Sequence, residues 1–247
     1  MIQETHFIAT SDGPLGVVLT RPSGGGSYPV VVMFHDGPGL RDANRINAKR
    51  IAAYGYAVVM PDRYHRHGDF QFVDPYVMRT AGPDDERIKA FRTMFGATTD
   101  DHMRTDVAAL LLWIRSQAAC RTGKMGAIGY CIGARTVLRT MADHNDVFSA
   151  GVCFHPSFCS DGAEQSPHLS IPGLQGRLYV GIGTEDKLQS IEMNQPFLDA
   201  VTAAGGEVDI FEGADHGFAV PGPAYHDSSA DTGYATALAL FDAQLCQ

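Results

Sequence analysis

Positive charge is scarce in this sequence: 19 lysines and arginines stand against 28 aspartates and glutamates, a formal net charge of −9. No basic run occurs, so a surface that displaces phosphate counterions is excluded and no nucleic-acid partner is expected. Long apolar runs are missing too. No stretch approaches the length of a bilayer span, and the opening MIQETHFIATSDG has no basic segment leading into an apolar core. We therefore expect a cytoplasmic protein without a membrane partner. The five cysteines, Cys120, Cys131, Cys153, Cys159 and Cys246, are an odd number without paired spacing, which argues against a disulfide framework and for a reducing compartment. No C-x-x-C and no H-E-x-x-H occurs, and His65 and His67 have no third ligand at a recognisable spacing, so no metal is expected and the two histidines are read as loop residues. No repeat or low-complexity tract divides the chain.

What is present is an ordinary globular composition, 45% hydrophobic and 19% charged over 247 residues, which one α/β domain spanning residues 1–247 accommodates. HFIATSDGPLGVVLT holds two β-type runs around a turn and predicts an antiparallel hairpin. YPVVVMF (28–34) and YAVVMP (56–61) are apolar without alternation, the mark of strands covered on both faces, with the helical spacing of NRINAKRIAAYG between them. Further strands are expected at 124–129, 149–155, 176–183 and 207–213, and helices at 100–117, from 132, at 191–205 and at 229–245. Strands alternating with helices imply a mostly parallel sheet with helices on both faces and ligands at the carboxyl ends of its strands. The segment from Asp62 to Thr99 mixes turn residues, aromatics and charges; it is expected to carry a short helix at 84–94 and to lie over those strand ends.

The chemistry concentrates in GYCIG, Gly129 to Gly133. A nucleophile at a tight strand-to-helix turn needs small neighbours, because strand and helix crowd together there, and the helix start favours a thiolate and a developing oxyanion. Core packing of Cys131 would not require the flanking glycines, and the glycine spacing is wrong for a dinucleotide loop. Cys120, Cys153 and Cys246 are assigned to small buried hydrophobes or inert surface. A thiol nucleophile needs a base and a group to orient it, both from later strand ends. GIGTEDKL offers Asp186, with Glu185 beside it, and EGADHGFAV offers His216. The order Cys131, Asp186, His216 is that of an α/β-hydrolase triad.

With GYCIGA, GTEDKL and ADHGFA, and with VVVMFHDGPGLRD and YAVVMPDRYHR upstream, the chain resembles the dienelactone hydrolase family of α/β-hydrolases over nearly its whole length. The resemblance implies the α/β-hydrolase fold, hydrolysis of small-molecule carboxylic esters or lactones without a cofactor, Cys131 as nucleophile, His216 as general base and Asp186, rather than Glu185, as its orienting acid. It also implies an oxyanion hole at the amides of Gly37 and Ile132. Asp36 stands where family members have a glutamate that could take or hold the thiol proton; bracing its own loop is the alternative. Arginines that hold a substrate carboxylate in the family are matched here by Lys89 and Val220, so dienelactone itself is expected to be a poor substrate. Arg41 either meets an acidic substrate or braces Asp42, and His155 either lines the pocket or satisfies a core hydrogen bond. Two rivals stay open: a catalytically idle binding protein of the same fold, and a redox sensor centred on Cys131. Oligomeric state is open as well.

Overall fold

The computed structural model describes residues 1–68 and 74–246. It is built on one eight-stranded sheet in the order β1-β2-β4-β3-β5-β6-β7-β8. The strands are β1 (Ile2–Thr10), β2 (Gly13–Arg21), β3 (Val30–Phe34), β4 (Ala57–Pro61), β5 (Met125–Tyr130), β6 (Phe148–Phe154), β7 (Arg177–Gly183) and β8 (Glu207–Phe211). β1 and β2 form the antiparallel hairpin, which joins β4 antiparallel; every later pairing is parallel. The helices are α1 (Asp42–Ala52), α2 (Pro75–Thr80), α3 (Glu86–Ala97), α4 (Asp100–Ser116), α5 (Ile132–Asp143), α6 (Ile191–Ala203) and α7 (Asp227–Leu245).

The two-sided burial explains the unbroken apolar runs. Successive strand residues point to opposite faces: Val30, Val32 and Phe34 of β3 join one core with α4, α5 and α6, whereas Val31 and Met33 join the other with α1 and α7. A strand so placed has no solvent face to fill with polar residues. No helix among the described residues is long and apolar enough to cross a membrane.

The segment after β4 departs most from the sequence pattern. The expected helix at 84–94 lies at Glu86–Ala97, and a further short helix, α2, precedes it. Asp74 caps α2 and Asp85 caps α3, each side chain accepting from a backbone amide two residues on. Six residues are too few for an apolar period to register, which is why α2 escaped the pattern. Residues 69–73 of this segment lie outside the described part of the chain.

Candidate active site

Cys131 occupies the single residue between β5 and α5, with φ 55° and ψ −119°. That left-handed backbone is costly for a residue with a Cβ and is sustained only where the surroundings hold it. Here they do: the Cys131 amide donates to Phe154 O at 3.1 Å, and its carbonyl accepts from Ala134 N and Ser157 N, both at 3.1 Å. The flanking glycines are needed for close approach. A Cβ on Gly129 would lie 2.3 Å from the Gly133 carbonyl, and one on Gly133 would lie 2.3 Å from Phe34 O.

The loops after β7 and β8 bring an acid to a histidine. Asp186 is buried, and its Oδ2 lies 2.7 Å from His216 Nδ1. Its other oxygen accepts from the Leu188 and Gln189 amides at 3.1 and 2.8 Å, so the carboxylate is fixed before it meets the ring. Glu185, by contrast, is exposed. Arg79 on α2 ties the histidine loop from outside, donating to His216 O at 2.7 Å and to Asp215 at 2.8 Å. Nothing in the sequence signalled that arginine, because the contact spans more than a hundred residues.

His216 Nε2 is buried and has no partner within hydrogen-bond geometry among the described residues, but its ring and the Cys131 sulfur act strongly on one another. Burial alone would push His216 down; the charge on Cys131 and the bond to Asp186 more than offset it and raise the imidazole to about 10. Burial alone would likewise push the Cys131 thiol up, yet the His216 charge, helped by the Ser157 hydroxyl, brings it below its ordinary value. The pair therefore favours thiolate and imidazolium. The other internal cysteines go the opposite way: burial raises Cys120 to about 11 and pushes Cys153 and Cys159 higher still. All five are free thiols.

Of the two amides expected to hold an oxyanion, Gly37 lines the cavity and Ile132 opens α5. Neither donates to an acceptor among the described residues. The Gly37 loop is held by Tyr64, whose hydroxyl donates to Gly37 O at 2.9 Å, and by His35, whose Nδ1 bonds Asp36 O at 2.8 Å while Nε2 accepts from Arg63 N at 3.1 Å. Those two bonds require a neutral His35, and burial pushes its pKa down accordingly.

Asp36 braces its own loop. Arg41 grips it through both terminal nitrogens, Nη1 on Oδ1 and Nη2 at 2.6 Å from Oδ2, and Asn44 Nδ2 donates to it at 3.2 Å. Arg41 is thus spent on Asp36, not Asp42. The carboxylate opposes ionisation of Cys131 through its charge, and the guanidinium compensates that charge at its source.

His155 lines the cavity with only 1% of its surface exposed, and neither ring nitrogen has a hydrogen-bond partner among the described residues. Its ring packs edge-on against His216 at 5.0 Å. Burial and the neighbouring His216 charge hold it well below the ordinary histidine value, so it is neutral. The expected contact from Lys89 is corrected: its Nζ pairs with Glu86 on the exposed side of α3 at 2.9 Å, and it does not line the cavity. Arg92, three residues on and so close to one helical turn away, does. Val220 is also in the wall.

The cavity has a volume of about 640 Å³. Its walls are largely apolar, from Met78, Ile88, Phe91, Phe95, Phe158 and Leu188, with Arg92 and Lys187 as exposed cations unpaired among the described residues. The described part of the 62–99 segment that lines this cavity, from Pro75 to Phe95, therefore lies over the strand ends, as expected. Ser157, 3.3 Å from the Cys131 sulfur, was missed in the sequence; its position just past the end of β6 was the available signal. His65 bonds Asp106 at 3.0 Å and His67 bonds Thr98 at 3.2 Å. No group of three or more metal-ligating side chains occurs among the described residues.

Comparison with known proteins agrees with the fold and shows the family. The model of the dienelactone hydrolase family matches residues 15–245. A Synechocystis protein named "Putative carboxymethylenebutenolidase" is 27% identical over 207 residues, covering 81% of this chain and 79% of its own. Hydrolase pyvD of Aspergillus violaceofuscus is 26% identical, covering 88% of this chain and 80% of its own. Among solved structures, a dienelactone hydrolase-like promiscuous phosphotriesterase from metagenomic libraries superposes with a TM-score of 0.72 at 21% identity, covering 99% of both chains. At that identity the likeness speaks for the fold alone.

Proposed function

The chain belongs to the dienelactone hydrolase family and is a hydrolase, and from that premise we propose that it cleaves carboxylic esters or lactones through a thiol acyl-enzyme. Residues 1–247 act in this reading as one domain. The observation that carries it is geometric: Cys131 at the left-handed turn before α5 and His216 line one cavity, with Asp186 Oδ2 2.7 Å behind the His216 ring; the lowered thiol and the raised imidazole agree with it. His216 holds the thiol proton, and the Cys131 sulfur attacks the substrate carbonyl. The Gly37 and Ile132 amides, which have no acceptor of their own among the described residues, take the oxyanion. His216 then protonates the departing alkoxide, activates water, and the acyl–sulfur bond breaks. A tetrahedral adduct of an amide would expel thiolate in preference to amine, which directs the chemistry to esters, lactones and thioesters.

The test is alkylation of Cys131 by iodoacetamide between about pH 5 and 9, followed peptide by peptide, with p-nitrophenyl acetate hydrolysis measured on the same samples. Activity falls in step with modification at Cys131. Because the thiol sits below its ordinary value, reactivity persists at pH values where a free cysteine is protonated and disappears as pH falls through the lowered value. Asp186→Asn moves that midpoint upward. Activity that survives complete alkylation of Cys131 overturns the mechanism.

The walls also bear on the substrate. Arg41 is spent on Asp36, Arg79 on Asp215, and Lys89 faces away; the unspent cations, Arg92 and Lys187, are exposed. A compact acid such as dienelactone leaves most of the apolar wall unfilled. The substrate is an ester or lactone with an extended apolar body, and kcat/KM for a p-nitrophenyl ester of a medium-chain or aryl acid exceeds that for cis-dienelactone by at least about tenfold, the worth of one or two buried methylenes. Turnover of cis-dienelactone above that of every such ester removes this assignment.

A further inference from the structure

Ser157 is almost wholly buried, 1% exposed, and its hydroxyl has one hydrogen-bond partner among the described residues, the Cys131 sulfur at 3.3 Å. The chain goes to unusual lengths to put it there. Two non-glycine residues around it, His155 at φ 38° and Phe158 at φ 56°, are in the left-handed region. The Ser157 amide bonds Cys131 O, and the Phe158 amide bonds Gln189 Oε1 at 3.1 Å. Gln189 in turn donates its own amide to Asp186. The turn is therefore anchored both to the nucleophile and to the loop of the orienting acid.

We propose, resting on the thiol acyl-enzyme reading above, that Ser157 is a further catalytic residue: its hydroxyl donates to the Cys131 sulfur whenever that sulfur is anionic, and so assists its expulsion in deacylation. The direction follows from the partners. A thiolate is a strong acceptor, a thioester sulfur a weak one, so the bond is given up when the sulfur acylates and regained when it leaves. In deacylation a water oxygen bonds the acyl carbon while its proton passes to His216. The carbon–sulfur bond then breaks with its electron pair going to sulfur, where Ser157 meets the new charge. Loss of the hydroxyl thus protonates more of the free thiol, leaves the remaining thiolate no worse a nucleophile, and slows its departure.

Ser157→Ala tests this by stopped-flow release of p-nitrophenol from p-nitrophenyl acetate. The expected result is a burst at alkaline pH with an acylation rate no lower than in the parent, a steady-state rate lower by about tenfold, and an alkylation midpoint for Cys131 raised by about one pH unit, as for a lost hydrogen bond to a charged group. Ser157→Gly gives the same result if the alanine disturbs the turn. Acylation and deacylation reduced alike, or a midpoint and a burst-to-steady-state ratio both within about twofold of the parent, overturn the proposal. Cys131→Ala, run beside it, abolishes the burst; if the burst persists there, the acyl-enzyme reading itself fails.

Discussion

Cys131→Ala lowers kcat/KM for p-nitrophenyl acetate by about ten-thousandfold or more, His216→Ala does nearly the same, and the double variant falls little further. Neither residue has an independent job. The imidazole is raised because the sulfur beside it carries charge, and the thiol is lowered because the ring does; remove one and the other returns toward an ordinary buried group. What survives, on the proposed mechanism, is binding and the Gly37 and Ile132 amides, left to stabilise an oxyanion for whatever weak nucleophile reaches the carbonyl. A steady-state comparison of the three variants with the parent checks this. Losses that multiply in the double variant show two separate functions, and a Cys131→Ala enzyme with more than about a tenth of parental activity shows that the sulfur is not the nucleophile.

Gly133→Ala has the second large effect, and its sign is opposite to what helix propensity gives. Glycine inside a helix costs about 1 kcal/mol relative to alanine, so alanine at the second residue of α5 should stabilise the protein. Its Cβ, however, would lie 2.3 Å from Phe34 O, 2.9 Å from Phe34 C and 3.0 Å from His35 O. These are backbone atoms at the end of a central strand, and they cannot rotate away. Overpacking of this kind costs about 1–3 kcal/mol and more where nothing can give, so we expect a net loss of about 2 kcal/mol or more. The clash pushes on Phe34 and His35, just before Gly37, so activity falls beyond the loss of folded protein. Urea unfolding gives the first quantity, and kcat measured well below the unfolding transition gives the second. A variant as stable and active as the parent shows that α5 can slide on β3, and that the tight elbow is not required.

Much of the fold was legible because it depends on local patterns that two-sided burial imposes. VVVMF, AVVMP and MGAIGY lack a polar alternation, and each is a strand buried on both faces. The elbow was legible for a steric reason, since only glycine fits where strand and helix meet so closely. Asp186 could be preferred to Glu185 only through the family resemblance; the distance of 2.7 Å to His216 now separates the two. Lys89 is matched to a family arginine through the resemblance alone; because a helix turns about 100° per residue, a shift of a few residues in that match moves a side chain from the cavity wall to the exposed face.

By itself, then, the sequence determined the alternation of strands and helices, the glycine-flanked turn at Cys131 and the chain order of the three residues beyond it. These are consequences of periodicity and steric size along a short stretch. Only the tertiary structure decided that Arg41 belongs to Asp36, that Arg79 straps the His216 loop, that Ser157 stands against the sulfur and that Arg92 replaces Lys89 in the wall. Those contacts join segments that are remote in the chain or turned by loop geometry, and side-chain direction across such gaps is set by packing.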